Sequence, residues 1–150
     1  MTTAGELPPK LAELAEDFSG LTVNERLALL LELAEELPAL PARYAGHPEA
    51  MERVPECQSP LYLAVEIDTG VGSAGDGRGV VRLFLHAPPE APTTRGLAAI
   101  VHSGLDGESP DTLLGVPEDF YVALGLHEAV SPLRLRGVVA MLTRIKNRLR

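Results

Sequence analysis

Two strand-forming segments that follow each other directly constrain the fold of this chain most. Residues 60–67 and 80–86 carry branched and aromatic side chains without helical spacing, and the stretch between them is rich in glycine. Neighbouring strands with no helix between them pair most simply as an antiparallel hairpin, because parallel strands need a long crossover connection. Residues 53–57 can add a third strand at the open edge. The sequence therefore predicts a short antiparallel sheet of about three strands.

Helical patterns precede these strands. Apolar residues recur at helical spacing within residues 7–18, and Thr22 with Glu25 forms a capping-box pattern that begins a second helix. The predicted buried stripe of this second helix consists of Leu27, Leu30, Leu31, Ala34 and Leu37. Proline at position 38 ends the pattern.

Further helical patterns follow the strands. They cover residues 94–102, 109–114, 117–124 and 131–149, and a serine followed by proline, typical of a helix N-terminus, begins the second and the last. Gly125 is expected to end the third in a left-handed conformation. The order of helices, hairpin and helices predicts an α+β fold whose helices cover the sheet, in one domain over residues 1–150.

Charge and hydropathy exclude several classes of protein. The chain has 13 basic and 21 acidic residues, a net charge of −8, which argues against a general nucleic-acid binder. The last twenty residues nevertheless hold only basic charges, so we expect an acidic body with a basic final helix. The sequence has no apolar stretch of about 18 residues and no leader-like N-terminus. We therefore expect no membrane segment and a cytoplasmic location.

A glycine motif at residues 70–75 matches the GxGxxG pattern of dinucleotide-binding proteins. In those proteins the glycines begin a helix that binds the pyrophosphate, whereas here they lead into another strand. The motif is better interpreted as the mobile tip of a hairpin.

The histidines show no spacing typical of a metal site or of a catalytic motif. They are His47, His86, His102 and His127. With a single cysteine, neither a disulfide nor a cysteine-rich zinc site is possible, and we expect no metal. His47 is the one histidine near Cys57 in sequence, which leaves a Cys/His hydrolase as a minor alternative.

Cys57 is the most informative residue of the sequence. Two prolines flank it, at positions 55 and 60, and predict a turn or strand edge. Glu52 and Glu56 are expected to raise its pKa, with Arg53 the only nearby cation in sequence. Cys57 is therefore either an inert buried residue or a thiol that is activated from elsewhere in the fold.

The residues around Cys57 and several later segments resemble the SufE family. The similarity rests on Glu-Cys-Gln-Ser at 56–59, on Thr-Arg-Gly-Leu-Ala at 94–98, and on Ser-Pro-Leu-Arg-Leu-Arg-Gly at 131–137. It extends over nearly the whole chain. The resemblance implies the α+β fold that SufE proteins share with U-type scaffold proteins.

The resemblance also implies a function. SufE-like proteins accept sulfur from a cysteine desulfurase that uses pyridoxal phosphate, and they pass it on for iron–sulfur cluster assembly. The implied partners are a SufS-type desulfurase and a SufBCD-type scaffold complex, with no nucleic acid and no membrane. The chain itself would bind no cofactor, would stimulate the desulfurase, and would be a monomer or a weak dimer.

Four residues match functional positions of the family. Cys57 matches the cysteine that carries the persulfide, and Arg134 matches an arginine that can stabilise the thiolate or persulfide. Gln58 and Ser59 are expected to shape the loop. Two alternatives stay open beside the sulfur carrier, namely a binding or regulatory domain with an inert cysteine and the Cys/His hydrolase.

Overall fold

The computed structural model describes residues 7–57, 59–69 and 79–150. Within these residues an antiparallel three-stranded sheet is surrounded by six α-helices, which confirms the expected α+β class. The helices are α1 (Pro9–Ser19), α2 (Val23–Glu36), α3 (Pro92–Leu105), α4 (Pro110–Leu114), α5 (Phe120–Ala123) and α6 (Pro132–Leu149). The strands are β1 (Glu52–Arg53), β2 (Tyr62–Asp68) and β3 (Val80–His86).

The sheet has the order β1-β2-β3, and the hairpin expected from the sequence is its main part. Strands β2 and β3 pair over their full length, from Tyr62 opposite His86 to Asp68 opposite Val80. This antiparallel pairing differs from the parallel strand–helix–strand arrangement on which a dinucleotide site is built. The whole glycine motif at 70–75, and with it the tip whose mobility was predicted, lies outside the described residues.

The helix signals in the sequence are largely confirmed. The side chain of Thr22 accepts a hydrogen bond from the Glu25 amide while the Glu25 carboxylate accepts one from the Thr22 amide, as a capping box requires. Ser109 and Ser131 cap α4 and α6 through their side chains. Gly125 has φ of +68°, the left-handed conformation expected after α5.

The buried stripe of α2 differs from the predicted one. Leu30, Ala34 and Leu37 are buried as expected, but Leu31 is 45% exposed. Arg26 is buried instead, because residues 26, 30 and 34 form the ridge that faces the protein interior. The stripe is therefore narrower than the sequence suggests and is displaced towards Arg26.

One continuous hydrophobic core joins the sheet to α1, α3 and α6. Helix α3 contacts α1, α2, α6 and β3, so it lies at the centre of the packing. Helix α6 also packs on the short turn Pro55–Cys57, in the connection between β1 and β2. This contact places the only cysteine of the chain beneath the final helix.

No helix among the described residues is long and apolar enough to cross a membrane.

Candidate functional site

The candidate site is built on the connection between β1 and β2, which we call the cysteine loop (residues 54–61). The Val54 amide donates to the Leu61 carbonyl at 2.9 Å and closes the base of this loop. The Cys57 amide donates to the Val54 carbonyl at 3.2 Å and ends a single 3₁₀ turn. The Ser59 amide donates to the Cys57 carbonyl at 2.6 Å. Cys57 thus lies on a compact turn close to the sheet edge.

Of the two predicted loop-shaping residues, the structure describes Ser59 but not Gln58. Ser59 contributes to the turn through its backbone amide. Gln58 lies outside the described residues, so its role stays a prediction.

Cys57 is buried, and its side chain packs against α6. The residue is only 7% exposed and belongs to the hydrophobic core. Gly137 on α6 makes room for it, since a Cβ at position 137 would lie 2.7 Å from the Cys57 Sγ. The thiol is therefore hidden in this resting arrangement.

Burial also makes the thiol a poor nucleophile. Desolvation and, to a smaller extent, the Glu56 carboxylate raise the pKa of Cys57 from its ordinary value of 9.0 to about 11, while Arg144 partly opposes the shift. With such a pKa only about one thiol in 10⁴ is ionised at pH 7. Reaction of Cys57 as a thiolate is therefore disfavoured while it is packed on α6.

The cation that acts on Cys57 is Arg144 of α6, not a residue near it in sequence. Its Nη2 donates to the Glu56 carboxylate at 2.8 Å, and its Nη1 donates to the Glu52 carboxylate at 2.8 Å. The hydrogen bond from Arg144 lowers the pKa of Glu56, which keeps this carboxylate ionised beside the thiol. Sequence reasoning missed Arg144 because 88 positions separate it from Glu56.

Arg134, the second predicted site residue, lies at the start of α6. Its Nη1 donates to the Thr94 hydroxyl at 3.4 Å, and its own backbone amide donates to the Ser131 cap. The charges that shift the pKa of Cys57 among the described residues are those of Glu56 and Arg144. A role for Arg134 in stabilising a thiolate or persulfide stays a prediction.

An open groove of about 910 Å³ runs along α6 beside the cysteine loop. Glu56 and Arg144 lie on its wall, together with the apolar side chains of Tyr121, Leu135 and Val139. The residue that directly precedes Cys57 thus faces this groove.

His47, which lies ten residues before Cys57 in sequence, has other contacts. His47 Nδ1 lies 3.1 Å from the Glu49 carboxylate, and the ring lines a separate cavity of about 480 Å³ that Tyr62 and Arg95 also line. No histidine contributes to the pKa shift of the thiol in the described part of the chain. Within those residues no three His, Cys, Asp or Glu side chains are grouped to hold a metal ion.

Comparison with known proteins identifies the family. The model of the SufE domain, described as Fe–S metabolism associated, matches residues 12–149. The chain belongs to the SufE family. The resemblance seen around residues 56–59, 94–98 and 131–137 is thereby confirmed.

Individual relatives of this SufE-family chain agree with the assignment. An uncharacterised SufE-like protein of Mycobacterium tuberculosis, found in two strains, is 53% identical over 150 residues, covering 100% of this chain and 98% of the relative. SufE-like protein 1 of Arabidopsis thaliana, described as chloroplastic/mitochondrial, is 29% identical over 138 residues, which are 91% of this chain and 34% of that protein.

A solved structure supports the fold. The solution structure of a hypothetical protein from Thermus thermophilus superposes with a TM-score of 0.79 at 38% identity, covering 95% of each chain. The antiparallel sheet, the cysteine loop and α6 of this SufE-family chain therefore belong to a fold already seen by experiment.

Proposed function

We propose that this SufE-family chain is a cytoplasmic sulfur carrier that receives a persulfide sulfur on Cys57 from a SufS-type cysteine desulfurase. The observation that carries the proposal is the position of the only cysteine in the chain. It lies on a turn of the cysteine loop, beneath α6 and next to an open groove. Membership of a family associated with Fe–S metabolism supports the same role.

The proposed transfer is a thiol–disulfide type of exchange. The Cys57 thiolate attacks the terminal sulfur of the persulfide on the desulfurase cysteine. The bond between Cys57 Sγ and that sulfur forms as the sulfur–sulfur bond on the desulfurase breaks, and the desulfurase cysteine leaves as a thiolate. One sulfur atom is transferred from the desulfurase cysteine to Cys57, and the thiol proton of Cys57 goes to solvent. The step needs no external oxidant or reductant.

A single thiol favours a carrier over a cluster scaffold. Iron–sulfur clusters are held by several thiolates, usually four, whereas a carrier needs one sulfur at a time. The next step is transfer of the terminal sulfur from Cys57 to a thiolate of a SufBCD-type scaffold complex. Removal of the persulfide sulfur from the desulfurase frees its cysteine for another turnover, which is how the chain would stimulate the desulfurase.

The buried position of Cys57 suits a carrier that is at rest between partners. A thiol that is 7% exposed, with a pKa of about 11, resists alkylation and oxidation while it is packed on Gly137. Docking on a partner would then have to move the cysteine loop outwards. We expect a bulky thiol reagent to label the free protein slowly for the same reason.

The test is intact-protein mass spectrometry after incubation with a cysteine desulfurase of the same source and free cysteine. We expect the parent protein to gain the mass of one sulfur, and dithiothreitol to reverse this gain. Cys57→Ser is the matched control and should gain nothing. Absence of any gain, with a desulfurase shown to be active, would reject the carrier and favour a binding domain with an inert cysteine.

Stimulation of the desulfurase is a separate measurement. Alanine formation by the desulfurase should increase when the parent protein is added, and Cys57→Ser should not reproduce the increase. If His47→Ala abolished the sulfur gain while leaving the fold intact, a Cys/His mechanism would be favoured instead.

A further inference from the structure

Arg144 binds two carboxylates that belong to different structural elements before Cys57. Glu52 belongs to β1, which is hydrogen-bonded into the sheet, and Glu56 directly precedes Cys57 on the cysteine loop. The Arg144 guanidinium uses one nitrogen for each carboxylate, both at 2.8 Å. A side chain of α6 thus binds the fixed sheet edge and the tip of the loop at once.

Helix α6 therefore holds the cysteine loop at two points. Gly137 receives the Cys57 thiol, and Arg144, about two helical turns further on, binds the neighbouring Glu56. The first contact is apolar and depends on shape. The second is an ion pair. Glu56 directly precedes Cys57, so a movement of the loop that takes the thiol away from Gly137 also pulls on this ion pair.

We propose that Arg144, with Glu52 and Glu56, is an ionic latch that holds the cysteine loop closed and sets how often Cys57 is exposed. Arg144 is a positioning residue in this proposal, because it acts through the loop and not on the transferred sulfur. The inference rests on the proposed sulfur-carrier function for its biological meaning, but the latch itself is measurable without any partner.

The latch is built to hold weakly. The side chain of Arg144 is 24% exposed and that of Glu56 is 46% exposed, so solvent screens their attraction. The Nε of Arg144 is buried without a hydrogen-bond partner among the described residues, so the guanidinium is not fully satisfied in the closed arrangement. A docking partner can reach both Arg144 and Glu56, because both line the groove beside α6.

A latch and a purely electrostatic role for Arg144 predict opposite effects on Cys57. Arg144 lowers the pKa of the closed thiol, so removal of its charge alone would leave fewer thiolates and slow alkylation. Removal of a latch would expose the thiol more often and accelerate alkylation. The direction of the change therefore distinguishes the two roles.

The experiment measures the alkylation rate of Cys57 by iodoacetamide in the full-length free protein at constant pH and salt. We expect Arg144→Gln to be alkylated roughly threefold to tenfold faster than the parent, as loss of two partly exposed ion pairs implies. An unchanged or slower rate would overturn the latch. Urea unfolding of each variant verifies that labelling is measured on the folded protein.

The chain offers a matched control. Arg148 lies on the same helix and donates to Glu52 at 3.2 Å, but it makes no ion pair with Glu56. Arg148→Gln removes the same charge and should change the alkylation rate by less than about twofold. An equal acceleration in Arg148→Gln and Arg144→Gln would also overturn the proposal, since it would reflect net charge.

A second variant keeps the proposal testable if Arg144→Gln does not fold. Glu56→Gln keeps the arginine and removes the loop end of the latch, but it also removes a charge that raises the pKa of Cys57. The rates are therefore compared per thiolate, with the pKa of Cys57 taken from the pH dependence of alkylation, and the latch predicts a faster rate for Glu56→Gln on this basis too. The double variant, Arg144→Gln with Glu56→Gln, should be alkylated no faster than Glu56→Gln alone. Each substitution removes the same contact between Arg144 and Glu56, so the second has nothing further to remove. The latch would be rejected if Glu56→Gln were alkylated no faster than the parent. It would also be rejected if the double variant were alkylated faster than Glu56→Gln alone.

Failure of the latch and failure of the carrier function are distinguishable. Alkylation needs no desulfurase, and the gain of sulfur mass on Cys57 needs no particular loop kinetics. Faster alkylation of Arg144→Gln without sulfur gain in any variant would support the latch and reject the carrier. Sulfur gain on Cys57 of the parent, together with an unchanged alkylation rate in Arg144→Gln, would support the carrier and reject the latch.

Discussion

Cys57 packs directly against the backbone of Gly137, because a Cβ on Gly137 would lie only 2.7 Å from the Cys57 Sγ and 3.3 Å from the Cys57 Cα. The thiol of the resting protein occupies space that any other residue at position 137 would claim. The absence of a side chain on α6 is therefore the direct cause of the burial of Cys57.

Gly137→Ala is expected to displace the cysteine loop. Alanine favours a helix over glycine by about 1 kcal/mol, so α6 itself should tolerate the change. We expect faster alkylation of Cys57 and a thiol pKa that falls from about 11 towards 9.0. The pH dependence of alkylation measures both. Gly104→Ala is a matched control, because its Cβ would contact Leu11 and not the cysteine.

The raised pKa of Cys57 makes the stability of the protein depend on pH in the alkaline range. Both the folded and the unfolded protein keep the thiol neutral below pH 9, but between pH 9 and 11 only the unfolded chain ionises. Stability should therefore fall across this window by up to about 2 kcal/mol. Urea unfolding near each end of the window measures it. Cys57→Ala should lack this component, and equal losses in both proteins would contradict the prediction.

Salt should open the cysteine loop. Ions at about 1 M shorten the Debye length to about 3 Å, which screens partly exposed pairs such as Arg144 with Glu56. We expect alkylation of Cys57 in the parent protein to accelerate as sodium chloride is raised. Arg144→Gln should show a flat response, and an equal salt effect in both proteins would argue against the ionic latch.

Arg134 should matter for sulfur transfer and not for the resting state. Its guanidinium contacts the Thr94 hydroxyl, so Arg134→Gln is expected to leave alkylation of free Cys57 within about twofold. Loss of a charged hydrogen bond to the persulfide would slow sulfur loading from the desulfurase by roughly tenfold. The time course of sulfur mass gain measures this. Loading at the parental rate would remove Arg134 from the mechanism.

Arg26 is expected to stabilise the fold and to have no role in sulfur transfer. Its buried guanidinium donates to the Phe18, Ser19 and Gly125 carbonyls and pairs with Glu128 at 2.7 Å. Arg26→Met should lower the free energy of unfolding by about 2–4 kcal/mol, since it leaves carbonyls and a carboxylate without partners.

The control for Arg26 is an exposed arginine. Arg43 is 55% exposed and binds Glu66 at 2.8 Å, so Arg43→Met should cost less than about 1 kcal/mol. Urea unfolding compares the two variants, and equal costs would contradict the structural role of Arg26. Sulfur gain on Cys57 should be unchanged in both.

The sequence by itself determined the elements of the fold. The capping box at Thr22, the serine cap at Ser131 and the left-handed Gly125 depend on residues within four positions of each other, so local patterns suffice to predict them. Adjacent strand patterns likewise predicted the hairpin, because a parallel pair would need a long crossover connection. Cys57 was identifiable as the candidate site because the chain has one cysteine.

Only the tertiary structure decided the surroundings of Cys57. The sequence suggested Arg53 and Arg134 as its cations, whereas α6 brings in Arg144 from 88 positions away from Glu56. The contact with Gly137 and the inward turn of Arg26 depend in the same way on how helices pack on one another. Periodicity defines which residues share a helix face, but it does not define what that face meets, since burial is set by partners that are distant in sequence.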